Sequence, residues 1–346
     1  MRVARFTRKI TSPTLPSALL HRTSILKQLQ YLCIDNGQYY KLGLICAPAG
    51  YGKTTVLADF ARQVPFPCCW YMLDQTDQDQ QSFLQTLVAS IRQCFPAFHQ
   101  KLDSLIESSS RIEAYHDTNT LDPETIIDIL AEHLESEIPE RFMLIFCNYH
   151  EVNGARAINS LMKRLIKALP PTCTLIIESR VIPEFEFASL LAQRQVFGLS
   201  SQDFRFGPQE IHELARIQEI DSLSEAEIEQ LILSFDGWIV GILLGTRLGD
   251  VGFLRTPAPV QPGTKSPRQT LSIDQSRLFS YLVYEVFGRE PELFAFLKEA
   301  AILQQMTPAL CGALLDRPDA AEYLHKLEHK GFFVSHSSEQ DQLTYF

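Results

Sequence analysis

The stretch Ala47-Pro48-Ala49-Gly50-Tyr51-Gly52-Lys53-Thr54-Thr55 decides the reading of this chain. An apolar segment, Leu42-Gly43-Leu44-Ile45-Cys46, precedes it, and Val56-Leu57-Ala58-Asp59-Phe60-Ala61-Arg62, which reads as helix, follows it. Strand, glycine-containing loop and helix carrying Gly-Lys-Thr make a phosphate-binding P-loop. The N–H groups of Ala49 to Thr55 are placed to cradle phosphate oxygens at a helix N-terminus. Gly50 and Gly52 allow the tight turn and the close approach of backbone to phosphate. Lys53 is expected to reach the β- and γ-phosphates, and the Thr54 hydroxyl to face Mg²⁺. One position departs from G-x-x-x-x-G-K-[ST]: Ala47 stands where the pattern has its first glycine.

Working outward, residues 1–20 carry Pro13 and Pro16 and read as an extended arm. His21 to Tyr40 reads as a helix, with Ile25, Leu26, Leu29 and Leu32 at helical spacing. Beyond the P-loop, Cys68-Cys69-Trp70-Tyr71-Met72-Leu73 reads as a strand, and Asp74, Asp77 and Asp79 as a solvated loop. Phe83, Leu84, Leu87, Val88 and Ile91 mark a helix face. Residues 107–120 are polar and lack periodicity, which predicts a mobile loop. Asp122 as N-cap and Pro123 in the first turn open a helix. Phe142 to Cys147 and Thr174 to Ile177 are apolar strands, Val196 to Leu199 is a weaker one, and Ile158, Leu161, Met162, Leu165 and Ile166 mark the helix before Thr174. Strands alternating with helices predict a parallel sheet covered on both faces. From about residue 207 the pattern turns helical: Pro208 starts one helix, Ser224 with Glu227 caps a second, and Gly237-Trp238 begins a third. Pro257, Pro259, Pro262, Gly263 and Pro267 mark a linker. Short helices follow, then Gly331 to Ser335 and Leu343 to Phe346 as a hairpin, which suggests a winged helix.

The 346 residues exceed one ordinary domain. The predicted division is an arm at 1–20, a P-loop domain at 21–206, a helical domain at 207–253, a linker at 254–269 and a winged helix at 270–346. The formal net charge is −10 and the pI about 5.4, which argues against a main nucleic-acid surface in this segment. No apolar run is long enough to span a bilayer, and the basic N-terminus leads into no signal region, so a cytoplasmic location and no membrane partner are expected. The eight cysteines show no C-x-x-C spacing and are read as reduced thiols without zinc.

Taken in order, these segments resemble the N-terminal part of MalT-type (LuxR-family) transcriptional regulators, within the signal-transducing ATPases with numerous domains, the STAND class. The resemblance rests on the P-loop, on Trp70-Tyr71-Met72-Leu73-Asp74 with Asp77, Asp79 and Phe83, and on Glu178-Ser179-Arg180 with Pro183. It continues through Leu199 with Asp203-Phe204-Arg205-Phe206, Gly237-Trp238 and the segment from Leu314 to Val334. It covers nearly the whole chain. It implies an α/β P-loop NTPase of the ASCE/STAND type followed by a helical and a winged-helix module, closed over ADP at rest. It also implies a switch to ATP that favours self-association. DNA would be bound through a helix-turn-helix, and inducer through repeats, neither of which lies in these residues. A fragment, a truncated reading frame or a stand-alone switch module is therefore expected. The resemblance casts Arg180 as a sensor of the γ-phosphate; read alone, it is an arginine at a strand end. Arg22 matches the arginine near the adenine pocket, and a solvated arginine stands beside that as an equal reading.

The acidic site departs from the family. Where the family strand ends in Asp-Asp-Tyr-His, this chain has Cys147-Asn148-Tyr149-His150. Cys147 is a poor ligand for Mg²⁺, which prefers hard oxygen donors. Asn148 cannot act as a base. Glu151 could substitute only if its loop turns back. The expectation is an ATP- or ADP-binding switch with a weakened Mg²⁺ site and weak or absent hydrolysis, at most a slow ATPase. Replacing both residues by aspartate should raise turnover. The alternatives are an active P-loop ATPase or phosphotransferase, against which Cys147-Asn148 argues, and a non-binding scaffold, against which Gly52-Lys53-Thr54 argues.

Overall fold

The computed structural model describes residues 7–32, 40–99, 102–109, 122–217, 223–245, 290–303, 305–330, 336–339 and 342–345. These residues form two compact units, one of those within 1–16, 21–47 and 53–203, the other of those within 17–20, 48–52 and 204–346.

The first unit is built on five strands: β1 (Leu42–Cys46), β2 (Cys68–Met72), β3 (Phe142–Cys147), β4 (Cys173–Ser179) and β5 (Val196–Ser200). All pair in parallel, in the order β2-β3-β4-β1-β5. Every residue of β3 and β4 is buried, as expected for parallel strands covered on both faces. Successive side chains point to opposite faces. Leu44, Tyr71, Leu144, Phe146, Leu175 and Ile177 pack into one cluster with the flanking helices, while Ile45, Ile145 and Ile176 are equally buried.

The helices are α1 (Thr23–Gln30), α2 (Lys53–Gln63), α3 (Gln80–Cys94), α4 (Leu102–Ser109), α5 (Pro123–Glu137), α6 (Arg156–Ala168) and α7 (Ala188–Ala192). The apolar stripes read from the sequence for α3, α5 and α6 are the buried ones. Asp122 caps α5 by accepting from the Thr125 N–H, with Pro123 in the first turn.

Three expectations need correction here. The helix expected over His21 to Tyr40 is Thr23–Gln30: the N–H groups of Tyr31 and Leu32 bond carbonyls three residues back, which tightens and ends it, and within the arm expected to be extended residues 7–9 are helical. Residues 107–109 belong to α4, held by fully buried Leu102 and Ile106, and 110–120 lie outside the described residues. The aspartates after β2 are not a solvated loop. Asp77 is fully buried, and the Lys9 ammonium donates to both its oxygens at 2.9 and 2.7 Å. The expected arm therefore delivers a buried lysine. Asp77 also accepts from the Asp74 N–H in a reciprocal capping box, and Asp79 caps α3.

In the second unit, α8 (Pro208–Ile217), α9 (Glu225–Phe235) and α10 (Ile239–Gly245) bury Ile211, Leu214, Ile228, Leu231 and Ile242 together. Ser224 and Glu227 form the expected capping box. A second cluster joins Leu293 and Phe296 of α11 (Pro291–Ala300), Cys311 of α12 (Pro308–Leu315), and Leu324 and Leu327 of α13 (Ala320–His329). An antiparallel hairpin, β6 (His336–Glu339) with β7 (Gln342–Tyr345), follows. Its first strand lies beyond the expected Gly331–Ser335 segment, which is outside the described residues, as is the linker at 254–269. Among the described residues no helix is long and apolar enough to cross a membrane.

Candidate functional site

The P-loop leaves the end of β1. The Ala47 N–H donates to the Ser179 carbonyl at 3.3 Å, so the loop starts tethered to the neighbouring strand β4. Gly50 and Gly52 both have φ near +79°, a conformation that disfavours any side chain. A Cβ on Gly50 would also lie 2.6 Å from the Trp238 indole nitrogen. α2 then begins at Lys53 with no acidic residue in its first turn, which leaves its positive end to an anion.

Lys53 is buried, and its Nζ lies 3.1 Å from Oε1 of Glu178, which is buried as well. The other carboxylate oxygen, Oε2, accepts the Asn148 N–H at 3.0 Å. Glu178 lies near the C-terminal end of β4, level with Ile45 of β1. On the other side Phe146 of β3 pairs with Ile177, so Cys147 is the residue level with Glu178. β4 thus carries its carboxylate between the P-loop lysine and the place where an acid was expected on β3.

Burial disfavours the thiolate form of the cysteines around this pair. Burial pushes Cys147 well above the ordinary thiol range; the Glu178 charge adds to that and Lys53 opposes it. Burial also pushes Cys46 up to about 12, against the pull of Lys53. Asn148 has φ +60° and ψ +37°, the left-handed region that asparagine and aspartate tolerate best.

Of the other expected site residues, Thr54 is half-buried and Thr55 exposed in the first turn of α2. Arg22 is buried, which excludes the solvated reading for it. Arg180 follows β4 directly and is half-exposed. Glu151 lies in a short 3-10 turn, and its carbonyl accepts from the Gln78 amide at 2.8 Å. The carboxylate that meets the Lys53 ammonium at 3.1 Å is that of Glu178. Sequence reasoning quoted Glu178-Ser179-Arg180 but gave Glu178 no role. The available signal was an acid interrupting an otherwise apolar strand.

In the second unit the P-loop segment has partners of its own. The Trp238 Nε1–H donates to the Ala49 carbonyl at 2.9 Å, and the Val240 N–H to the Gly50 carbonyl at 3.4 Å. The Ala49 side chain belongs to the apolar cluster of α11 to α13. Burial raises the Tyr51 phenol, with the Arg205 charge opposing and Asp236 reinforcing it. Arg205 and Asp236 are themselves ion-paired at 2.5 Å. Gly237, at φ +71°, accepts the Phe206 N–H on its carbonyl and so fixes the turn that presents Trp238.

Residues 283–346 match the family model of the MalT winged helix domain. Over 314 residues, 90% of this chain, the sequence is 26% identical to the HTH-type transcriptional regulator MalT of Yersinia pestis (strain Pestoides F), covering 33% of that protein. MalT of Yersinia enterocolitica is 27% identical over 296 residues, 85% of this chain and 31% of the relative. The chain thus spans about a third of the length of the curated relatives it matches. The Walker-type ATPase PABY2304 of Pyrococcus abyssi is similar in structure, with a TM-score of 0.52 at 15% identity over 94% of this chain and 92% of that one. That likeness concerns the fold alone. The resemblance to MalT-type regulators and the fold class, a P-loop parallel sheet with a winged helix at the C-terminus, are borne out.

Proposed function

We propose that this MalT-like chain is a nucleotide-gated switch module of a cytoplasmic transcriptional regulator. It binds ATP or ADP through Ala49 to Thr55, with Lys53 on the β- and γ-phosphates. The observation that carries this reading is Lys53 at the start of α2, buried and held at 3.1 Å by a carboxylate. A lysine kept out of water at a helix N-terminus is a poor structural residue and a good phosphate ligand.

The donors present fit Mg²⁺: the Thr54 hydroxyl and the Glu178 carboxylate are hard oxygen groups, while the sulfur of Cys147 is not a suitable ligand. Mg²⁺, when bound with nucleotide, would neutralise charge on the phosphate oxygens. The chain's own residues do the rest. Loop N–H groups and Lys53 bind phosphate, Arg180 follows β4 where a γ-phosphate sensor would stand, and buried Arg22 is assigned to the adenine end. Hydrolysis is slow, because Asn148 stands where an acid would orient the attacking water and cannot accept its proton. The five-part division of the chain, from the arm at 1–20 to the winged helix at 270–346, belongs to this proposal.

The contacts of Ala49 and Gly50 with Trp238, Val240 and the α11–α13 cluster support a resting state in which helical and winged-helix modules clasp the P-loop. In this reading, ATP loosens that clasp and favours self-association, and DNA is bound through a helix-turn-helix outside these residues.

Calorimetry with ATP and ADP on the chain and on Lys53→Ala tests the proposal. Binding by the unmodified chain that the variant lacks is the expected result. Equal heats from both proteins would remove the P-loop from the account.

A further inference from the structure

We infer that Glu178 supplies from β4 the metal-holding carboxylate that β3 lacks at Cys147, so that nucleotide binding by this chain depends on Mg²⁺ through Glu178. The inference rests on the nucleotide-binding reading of the P-loop and deepens it.

Position comes first. β4 lies between β1 and β3, and the register sets Glu178 level with Ile45 on one side and with Cys147 on the other. A carboxylate there is one strand closer to the P-loop than one at residue 147. Its two oxygens are separately held, Oε1 by Lys53 at 3.1 Å and Oε2 by the Asn148 N–H at 3.0 Å. The group is thus fixed between the first residue of the P-loop helix and the end of β3.

Charge comes second. A buried carboxylate needs a compensating partner, and in this structure Lys53 is one. Nucleotide phosphates approaching Lys53 bring several negative charges next to Glu178. One ammonium does not neutralise both, and a cation lying between carboxylate and phosphate lowers the cost of bringing the two anions together. Mg²⁺ suits that place, since it binds through one or two carboxylates together with substrate phosphates. Cys147 cannot take the part, because a sulfur donor is a poor ligand for a cation that prefers hard oxygen groups. A plain counter-ion for Lys53 would behave differently: phosphate would displace it, and Mg²⁺ would have no carboxylate to bind.

The test is calorimetric titration of ATP into the 346-residue chain with Mg²⁺ and with chelator, repeated on Glu178→Gln, Cys147→Ala and the double variant Cys147→Asp/Glu178→Gln. In the unmodified chain and in Cys147→Ala, Mg²⁺ should tighten ATP binding. In Glu178→Gln that enhancement should vanish, and metal-free ATP should bind tighter than to the unmodified chain, because the repelling charge is gone. The double variant moves the carboxylate to β3 and should regain the enhancement. It also keeps the test decisive if Glu178→Gln fails to fold, which circular dichroism would reveal. Mg²⁺ enhancement that persists in Glu178→Gln, or that disappears in Cys147→Ala, overturns the assignment. An unmodified chain that binds no nucleotide in either condition instead sinks the P-loop reading on which it rests.

Discussion

Lys53 and Glu178 are both buried, and each is the other's compensation for leaving water. Removing one partner of such a pair strands the other, which typically costs about 3–5 kcal/mol. Glu178→Ala should therefore lower unfolding free energy by about that amount in urea melts. Lys53→Ala with Glu178→Gln should recover much of the loss; a double variant no more stable than the single one would show that the carboxylate is not the source. The same geometry bears on turnover. If Glu178 already fills the metal-holding role, the remaining deficit is the base, and Asn148 alone stands in its place. Asn148 sits at φ +60°, which aspartate adopts nearly as readily, so Asn148→Asp introduces an acid without moving the backbone. ATP turnover should rise on the order of 10²-fold, the low end of what a positioned base contributes. Adding Cys147→Asp should not raise it further, since two carboxylates would then crowd one level of the sheet. A rise only in the double variant would show that β3 needs both acids.

At the scale of elements, capping chemistry decides where helices begin, and it can be titrated. The Asp122 carboxyl is held below its ordinary range, first by the Thr125 hydroxyl and then by the Thr125 N–H. A carboxylate depressed in the folded state lends stability above its unfolded pKa and loses it as pH falls through the folded one. Asp122→Ala should thus destabilise by about 1 kcal/mol at neutral pH and progressively less below about pH 4. Thermal melts of both proteins from pH 3 to 7 check this; a constant gap would mean that the side chain acts through something other than its charge. Caps, strands and amphipathic stripes were legible in the sequence because each is written within a few neighbouring residues: Asp122-Pro123, Ser224 with Glu227, the run Phe142 to Cys147. Long-range pairings were not. Asp77 reads as a loop aspartate until Lys9, 68 residues earlier, arrives to bury it. Glu178 reads as part of a motif until the strand order sets β4 beside β1. The P-loop was plain from spacing, whereas its companion carboxylate depended on which strands are neighbours.

Across the whole molecule, the second unit gathers residues far apart in the chain around the P-loop segment: Ala49 in the α11–α13 cluster, its carbonyl on Trp238, and the Gly50 carbonyl on the Val240 N–H. In the proposed switch, phosphate would be bound by the N–H groups of this segment, whose carbonyls accept from Trp238 and Val240. The two faces of each peptide unit are rigidly coupled because the peptide is planar. A rotation that improves the N–H cradle must therefore disturb the Ala49 carbonyl and the Trp238 indole that donates to it. This gives the proposed switch a physical lever and a built-in reporter. The chain has two tryptophans. Trp70 is buried in β2, while Trp238 bonds the loop itself. If the clasped state is the ADP form, as proposed, tryptophan emission should shift on addition of ATP and less on addition of ADP. Trp70→Phe should keep the ATP response and Trp238→Phe should lose it. Trp238→Phe also deletes the bond to Ala49, so it should weaken the preference for ADP, by up to about tenfold if one hydrogen bond of about 1 kcal/mol or slightly more is at stake. Emission that responds equally to both nucleotides, or a response that survives Trp238→Phe, would show that the loop carbonyls do not report the nucleotide state.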